Sequence, residues 1–407
     1  MENDINGFNA LYRAQKAAMC GQWDNPTALK YSINCVSRIV ALSERLRNRD
    51  WSVGSYYPFK IFEPKERDVL AIDFEGKVVM HALCDNALYP AISRRLIRDN
   101  YAVQIGRGTH DGLDRLTKAL RHYYFSRKAK DVRERKARGD PLPTREEWDY
   151  ANGWVLKGDF SKYFYTLQHD YCKQVCAEAL EAYDAESSDF AIWLTNVIID
   201  STPDPGIPIG NQTSQIIALA YLNRFDHWLR DDLGLVYGRY MDDFYIIHED
   251  KAFLQSVLAQ IKERTAAIGL SLNNKTQIFP LRNGIDFLGF HTYLTESGKV
   301  VRKLRAKSID NTRRKIKVFR RLYDAGRIDL DSINQSYMSW RGHAKHGNCH
   351  HVLNRMDELF YKTFPELKKD KEASDGSETK CAGDGQQDQV RRTLRRTHRV
   401  ACAGTRA

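Results

Sequence analysis

The chain alternates short apolar runs with stretches whose apolar residues recur at helical spacing, which predicts a mixed α/β fold. Two apolar runs, 236–239 and 244–247, flank the adjacent acids Asp242 and Asp243, and this pattern predicts a β-hairpin with carboxylates at its turn. Residues 154–160 form another strand-like run with an acid near its carboxyl end, and an amphipathic helix is predicted from there to about Leu180. The resulting βαββ order predicts a ferredoxin-like core.

The flanking segments predict helices and a second hairpin. Residues 1–50 carry apolar residues on helical faces, which predicts an N-terminal helical extension. Residues 59–72 contain two strand-like runs around a charged turn. Residues 126–152 are highly charged and are broken by a Gly and two Pro, so an exposed insertion is expected there. Residues 368–407 are too polar to support a packed core and are expected to be a disordered basic tail.

Composition narrows the class of protein without identifying it. A chain of 407 residues with 42% hydrophobic content can bury several cores, so two or three subdomains are expected. The formal charge of +11 and the isoelectric point near 9.1 favour a polyanionic partner. No apolar run approaches the roughly 20 residues needed to span a membrane, and no signal peptide opens the chain. The eight cysteines lack the spacing of a disulfide framework, so we expect a cytoplasmic protein without a membrane partner.

The candidate catalytic residues are Asp159, at the end of the first strand, and the pair Asp242 and Asp243 in the hairpin. An isolated Asp-Asp turn is most simply a solvated surface turn. The separate acid at a strand end changes this interpretation, because carboxylates that meet at one place provide a site for a divalent cation. Mg²⁺ takes oxygen ligands and is usually held by one or two carboxylates together with substrate phosphates.

From about Phe59 to Arg355 the chain resembles a reverse transcriptase, because several motifs occur in the order typical of that family. The matching segments are Asp159, Gly206 to Gln215, Tyr240 to Asp243, Leu272 to Thr276, and Phe287 to Phe290. The resemblance implies a right-hand polymerase of the α/β (α+β) class, with fingers, a ferredoxin-like palm and a helical thumb. The implied divisions are an N-terminal extension at 1–50, fingers at 51–153 with the charged insertion 126–152, palm at 154–300, thumb at 301–365 and a disordered basic tail at 366–407.

The resemblance also assigns a catalytic role to each acid. Asp159 and Asp242 would bridge two Mg²⁺ ions, for which Mn²⁺ is a possible substitute, and Asp243 would support them. The resemblance also places Phe160, the residue after Asp159, at the metal site. Lys275 would act as general acid toward the departing pyrophosphate, although from the residues alone it is equally a surface lysine.

Further residues are implied to contact the nucleotide and the nucleic acid. Nucleotide contacts are expected from Lys65 and Arg67 on the triphosphate, Phe164 beneath the sugar, and Ile209, Gly210 and Gln215. A solvated hairpin tip and a core aromatic remain the simpler interpretations of Arg67 and Phe164. Nucleic-acid contacts are expected from Arg107, Tyr240, Met241, Phe287, Leu288, Gly289, Arg313, Arg314 and Lys317.

One departure from the common family pattern points to a subtype. Most reverse transcriptases have Gln-Gly followed three residues later by Ser-Pro, whereas this chain has Ile209-Gly210 and then Ser214-Gln215. This departure resembles the diversity-generating retroelement branch, whose members copy a template RNA with frequent errors at adenines. An apolar side chain beside the nascent base pair removes a polar contact, and discrimination between substrates depends on such contacts.

The resemblance implies template RNA, a cDNA or primer strand and dNTPs as partners, together with a possible small basic accessory protein. Two alternatives remain at this point. One is a retron-like or phage-defence reverse transcriptase, and the other is a nucleic-acid-binding module without catalysis.

Overall fold

The computed structural model describes residues 5–62, 66–186 and 188–367. These residues fall into two compact units, one within Met1–Leu288 and Thr292–Val301, the other within Gly289–His291 and Arg302–Ala407. Nowhere in these described ranges is a helix both long and apolar enough to span a membrane.

The first unit contains helices that surround a four-stranded sheet and a separate hairpin. The hairpin pairs β1 (Tyr56–Ile61) with β2 (Arg67–Ile72) in antiparallel register. In chain order the helices are α1 (Phe8–Met19), α2 (Pro26–Ile33), α3 (Cys35–Arg47), α4 (Phe74–Leu83), α5 (Tyr89–Ser93), α6 (Thr109–Arg138), α7 (Tyr163–Thr166), α8 (His169–Tyr183), α9 (Ser188–Ile199), α10 (Gln212–Tyr221), α11 (Asn223–His227) and α12 (Lys251–Ala266).

The four-stranded sheet is formed by β3 (Trp154–Asp159), β4 (Val236–Tyr240), β5 (Asp243–His248) and β6 (Gln277–Pro280). Its spatial order is β4-β5-β3-β6, and each neighbouring pair is antiparallel. Helices connect β3 to β4 and β5 to β6, so the chain follows the βαββαβ order of a ferredoxin-like fold. The predicted mixed α/β class and palm sheet are therefore confirmed.

The helix predicted from the end of β3 to about Leu180 is interrupted, which corrects that expectation. It divides into α7 and α8 at Leu167 and Gln168, whose backbone groups bond to other segments instead of continuing the helix. The carbonyl of Leu167 accepts from the amide of Gly206 at 2.8 Å, and the amide of Gln168 donates to the Tyr221 hydroxyl at 3.3 Å. Apolar periodicity continued through the break because both halves pack against the same core.

The charged segment expected to be an exposed insertion begins inside a helix. Helix α6 runs for 30 residues and carries residues 126–138 as its last turns. It ends at Gly139, which adopts the left-handed conformation with φ of 77° and caps the last carbonyls. Only the part after Gly139 departs from helix, apart from one short 3₁₀ turn at Arg145–Glu147.

The remaining strands are β7 (Ile285–Phe287), β8 (Phe290–Leu294) and β9 (Val300–Leu304), which form a sheet in the order β7-β8-β9. Leu288 and Gly289, between β7 and β8, both have positive φ, at 49° and 87°. Positive φ at both central residues is typical of a type I′ turn, so the hairpin predicted at 287–290 is present.

The second unit packs helices α13 (Ala306–Asp324), α14 (Leu330–Ala344) and α15 (His350–Thr363) around a small core. Tyr337 and Phe360 stack at its centre with ring centroids 3.9 Å apart.

An ion pair with no solvent exposure lies inside the first unit, where Arg239 of β4 meets Asp226 of α11. The carboxylate accepts from Arg239 Nε at 2.7 Å and Nη2 at 2.5 Å, from the Tyr237 hydroxyl at 2.6 Å and from Asn100 Nδ2 at 3.3 Å. A buried charge is tolerated only when it is paired and hydrogen-bonded, and both conditions are met here.

We expect Arg239→Met to reduce the free energy of unfolding by about 3–5 kcal/mol, because it leaves the Asp226 carboxylate buried without its cation. The double variant Arg239→Met/Asp226→Leu should recover part of this loss, since neither charge then remains buried. The control is Arg224→Met, which breaks the largely exposed pair with Glu178 and should cost less than about 1 kcal/mol. Urea unfolding measures all three variants, and equal losses for Arg239→Met and Arg224→Met would contradict the expectation.

Candidate active site

Three carboxylates lie together at one edge of the four-stranded sheet. Strand β3 ends at Asp159, β5 begins at Asp243, and the sheet register pairs these two residues directly. The amide of Phe160 donates to the Asp242 carbonyl at 3.2 Å, which ties the third acid to the end of β3. The three acids that the sequence singled out are therefore brought together by strand pairing.

The hairpin turn between β4 and β5 consists of Met241 and Asp242. Tyr240 and Asp243 pair across it, and Met241 adopts the left-handed conformation with φ of 56°. A non-glycine residue is strained in this region and needs support from its surroundings. That support comes from Arg239, whose Nη1 donates to the Met241 carbonyl at 2.7 Å. The buried ion pair thus fixes the backbone that presents Asp242.

Close contact between β3 and β5 requires a glycine. Gly158 faces Phe244 across the ladder, and a Cβ atom at Gly158 would lie 2.1 Å from the Phe244 ring. Because Gly158 has no side chain, the Phe244 ring can lie against β3 at the residue before Asp159. Phe244 is fully buried and contacts the ring of Phe160, with centroids 5.6 Å apart.

The electrostatic environment penalises ionisation of Asp242. Burial, followed by the charge of Asp159 and a smaller effect of Asp243, raises the pKa of Asp242 to about 6, while Arg67 opposes the shift. The carboxylate of Asp243 is paired with the ammonium group of Lys157 on β3. The site therefore holds two carboxylates that repel each other, Asp159 and Asp242, beside the ion pair of Asp243 and Lys157.

The oxygen atoms of these carboxylates show whether the cluster suits a divalent cation. Within the described ranges, no group of three or more His, Cys, Asp or Glu side chains has the arrangement of a metal site. Asp159 and Asp242 nevertheless fit Mg²⁺, because this ion is commonly held by one or two carboxylates and completes its shell with water and substrate phosphate. A cation would also relieve the repulsion that raises the pKa of Asp242.

A cavity of about 400 Å³ opens beside the hairpin turn. The predicted residues among its lining are Arg67, Phe164, Ile209, Gly210, Gln215, Tyr240, Met241 and Asp242. These residues supply a guanidinium group, an aromatic ring and a carboxylate. The cavity is large enough for one nucleotide-sized ligand. Asp159 and Asp243 do not line the cavity.

Backbone hydrogen bonds join the segments that form this cavity. The amide of Leu70 on β2 donates to the Ile209 carbonyl at 3.0 Å, and the amide of Ile207 donates to the Phe164 carbonyl at 2.8 Å. Gly210 lies at the contact with β2, where its φ is 125° and an added Cβ atom would be 2.9 Å from the Leu70 carbonyl oxygen. Glycine is needed there for both conformation and space.

Other predicted residues lie outside the cavity. Lys275 is exposed, although its motif adjoins the acids through the amide of Asn273, which donates to the Asp159 carbonyl at 2.7 Å. Arg107 donates to the Ile97 carbonyl at 3.2 Å, a contact that serves the local loop. Lys65 and residues 368–407 lie outside the described residues.

The remaining residues predicted to contact nucleic acid lie around the turn between β7 and β8 and on helix α13. Phe287 is buried and packs edge-on against Tyr245, with centroids 5.2 Å apart, and Leu288 forms the next turn. Gly289 belongs to the second unit. So do the exposed side chains of helix α13 that were predicted to bind nucleic acid, Arg313, Arg314 and Lys317.

Sequence reasoning missed several residues of the site. Lys162, three residues after Asp159, lines the cavity and has a left-handed backbone with φ of 48°. Asn211 and Ser214, which the sequence analysis included in the matching segment Gly206 to Gln215 without assigning them a contact, also line it. Arg239 was noted only as the end of a strand, although a charged residue inside an otherwise apolar strand is a signal of a buried pair.

Comparisons with known proteins agree with this geometry. Residues 146–292 match the family model described as reverse transcriptase (RNA-dependent DNA polymerase). The matched segment contains Asp159, Asp242, Asp243 and most of the cavity lining. A comparison with curated protein sequences finds no match to this chain.

Solved structures similar to the chain include telomerases, each with a TM-score of 0.43. A Candida tropicalis telomerase truncated from the C-terminal domain is 13% identical, covering 61% of this chain and 56% of that one. A Candida albicans telomerase in complex with a fragment of telomeric RNA is 11% identical, with coverage of 79% and 61%. Apo Candida tropicalis telomerase is 12% identical, with coverage of 82% and 64%.

The chain thus spans less than two thirds of the length of each of these telomerase chains. The family match rests on the segment that carries the paired strands, the acidic turn and the cavity. Residues 146–292 of this chain form a reverse transcriptase domain, the domain of RNA-dependent DNA polymerases.

Proposed function

We propose that the chain is an RNA-directed DNA polymerase that extends a primer with dNTPs on an RNA template. The observation that carries the proposal is the position of Asp242, which belongs both to the carboxylate cluster and to the lining of the cavity. A polymerase must hold the triphosphate of its substrate next to the acids that support phosphoryl transfer, and this arrangement meets that requirement.

Asp159 and Asp242 would hold Mg²⁺, with Mn²⁺ as a substitute, and Asp243 would support them through its pairing with Lys157. When bound, the ions lower the pKa of the attacking hydroxyl and neutralise charge on the triphosphate. In the reaction the primer 3′-oxygen forms a bond to the α-phosphorus, and the bond to pyrophosphate breaks. Lys275 as proton donor to the leaving group stays a prediction from the family motif.

The cavity lining assigns the remaining substrate contacts. Arg67 lines the same cavity as Asp242, where its guanidinium group would contact the triphosphate. Phe164 is half-buried beside the acids and would lie beneath the sugar, where an aromatic ring excludes a 2′-hydroxyl. Lys162 adds a second cation to this surface.

The proposed subtype is a diversity-generating retroelement enzyme that makes frequent errors at template adenines. Its support is the lining itself, since Ile209 replaces a polar side chain and lies in the same cavity as Gln215 and Asp242. Template RNA, a primer or cDNA strand, and a small basic accessory protein belong to this proposal, as does a cytoplasmic location. The retron-like alternative shares the catalytic chemistry and differs in the template that is copied.

Asp242→Asn should abolish dNTP incorporation, with a loss of at least about 1000-fold, because the amide carries no charge to hold the cations. Asp232→Asn is the matched control, since Asp232 is an exposed acid outside the site and should retain wild-type rates. Primer extension on a defined RNA template measures both variants. Incorporation that survives in Asp242→Asn would remove this residue from the catalytic assignment and favour another set of acids.

Without divalent cations, stability should fall as the pH rises from about 4 to about 6. The folded protein keeps a proton on Asp242 in this range, whereas the unfolded chain has lost it, so raising the pH favours unfolding. The expected decline attributable to this residue is at most about 3 kcal/mol. Urea unfolding in the presence of a chelator should show the decline in wild type and Asp232→Asn but a flatter profile in Asp242→Asn. Identical profiles for all three would refute the raised pKa.

Ile209→Gln should lower misincorporation opposite template adenine several-fold, because it restores a polar contact beside the nascent base pair. The control is Ile209→Leu, which keeps an apolar side chain of the same volume and should retain the wild-type error pattern. Sequencing the cDNA made from one RNA template compares the variants. An unchanged adenine error rate in Ile209→Gln would leave the polymerase assignment intact and remove the support for the subtype.

A further inference from the structure

A second concave surface lies on the first unit, along helix α6 and away from the catalytic cavity. It consists of two adjoining hollows of about 290 Å³ and about 400 Å³, which share His122 and residues 234–236 as a common wall. None of the residues that line these hollows lines the catalytic cavity. We refer to the two hollows together as the α6 groove.

Cations dominate the first hollow. Arg115, Lys118 and Arg230 line it with a single carboxylate, Asp99. The Asp99 side chain is only 9% exposed and accepts from Arg115 Nε at 2.8 Å and Arg230 Nε at 3.3 Å. One negative charge is thus shared between two guanidinium groups, and the hollow keeps an excess of two positive charges.

The second hollow also has more basic than acidic side chains. Arg127, Lys130 and Arg133 line it with one carboxylate, Glu249, which pairs with Arg127 at 3.4 Å. Lys118 and Lys130 have no carboxylate partner anywhere in the part of the chain that the structure describes. Two exposed lysines without an acid, each on the wall of a hollow with excess positive charge, favour an anionic ligand over a merely solvated helix face.

The basic side chains of the α6 groove are arranged in a row along the helix and do not converge on one point. Arg115, Lys118, Lys130 and Arg133 recur at helical spacing on one side of α6, and the first and last are roughly 27 Å apart at 1.5 Å per residue. A small anion would need a convergent cluster, whereas an extended row of charges matches the repeating phosphates of a nucleic-acid strand. The His248 ring contacts the Phe253 ring in a tilted arrangement, with centroids 4.4 Å apart, and offers an aromatic surface beside the row.

The position of the groove relates it to the catalytic turn. Val236 and Tyr237 at the start of β4 line the groove, and Tyr240 at the end of the same strand lines the catalytic cavity. These two ends of β4 are roughly 10–13 Å apart at 3.3 Å per residue. A cavity of about 400 Å³ holds only a small part of a template, so most of a long RNA must lie on other surfaces.

We propose that the α6 groove binds the phosphate backbone of the template RNA outside the segment being copied. The inference rests on the proposed polymerase function for the identity of the strand, although binding itself does not require catalysis. The groove contacts are with phosphates, so they carry no sequence preference and depend strongly on salt.

The test compares the double variant Lys118→Gln/Lys130→Gln with Arg121→Gln/Lys136→Gln. Both variants remove two exposed positive charges from α6, but Arg121 and Lys136 line neither hollow. Fluorescence anisotropy with the full chain measures affinity for a short RNA–DNA primer–template and for the same duplex with a long RNA overhang. Matching thermal unfolding midpoints confirm that both variants fold.

We expect the RNA overhang to increase the affinity of wild type and of the Arg121/Lys136 control. The affinity of the groove variant for the substrate with the RNA overhang should be about tenfold lower than that of wild type. The slope of log affinity against log salt should fall in magnitude by about 1–2. Loss of the same size in the control, or no loss in the groove variant, would overturn the proposal. A third arm with a DNA overhang on the primer strand decides the source, because an equal groove-dependent gain there would overturn the assignment to template RNA.

Binding and primer extension together distinguish failure of the groove assignment from failure of the polymerase assignment. If the enzyme fails to incorporate dNTPs but binds the RNA overhang through Lys118 and Lys130, the polymerase assignment fails and the groove remains. If incorporation proceeds and the overhang has no effect, the groove assignment fails alone.

Discussion

The buried pair of Arg239 and Asp226 is the interaction on which the active-site geometry depends. A charge inside the core is tolerated only with complete pairing, so the positions of both side chains are narrowly fixed. Nη1 of Arg239 donates to the Met241 carbonyl, and this bond extends the fixed geometry to the strained turn. The position of Asp242 therefore depends on a hydrogen bond made by the residue that precedes it.

The catalytic cavity is a joint product of segments that are distant along the chain. The hairpin of β1 and β2, the loop before α10 and the start of α7 meet through main-chain hydrogen bonds, which do not depend on side-chain identity. The side chains of Arg67 and Ile209 project from this frame into the cavity.

Charge is distributed unevenly over the first unit. Negative charge is concentrated at the sheet edge, where repulsion raises the pKa of Asp242 and makes a cation favourable. Positive charge is concentrated in the α6 groove, where each hollow contains three basic side chains and one acid. The two surfaces lie at opposite ends of β4, so one strand connects the proposed catalytic site to the proposed template-binding groove.

The sequence by itself determined the strands around Asp159 and Asp242, because short strand-like runs and a two-residue turn are local properties. It also determined the class of fold through the order of these elements. Only the tertiary structure decided which charged residues became partners, since Arg239 and Asp226, or Lys157 and Asp243, meet through packing that no local pattern encodes. The break after α7 was decided in the same way, because backbone bonds to distant residues outweighed a continuous helical pattern.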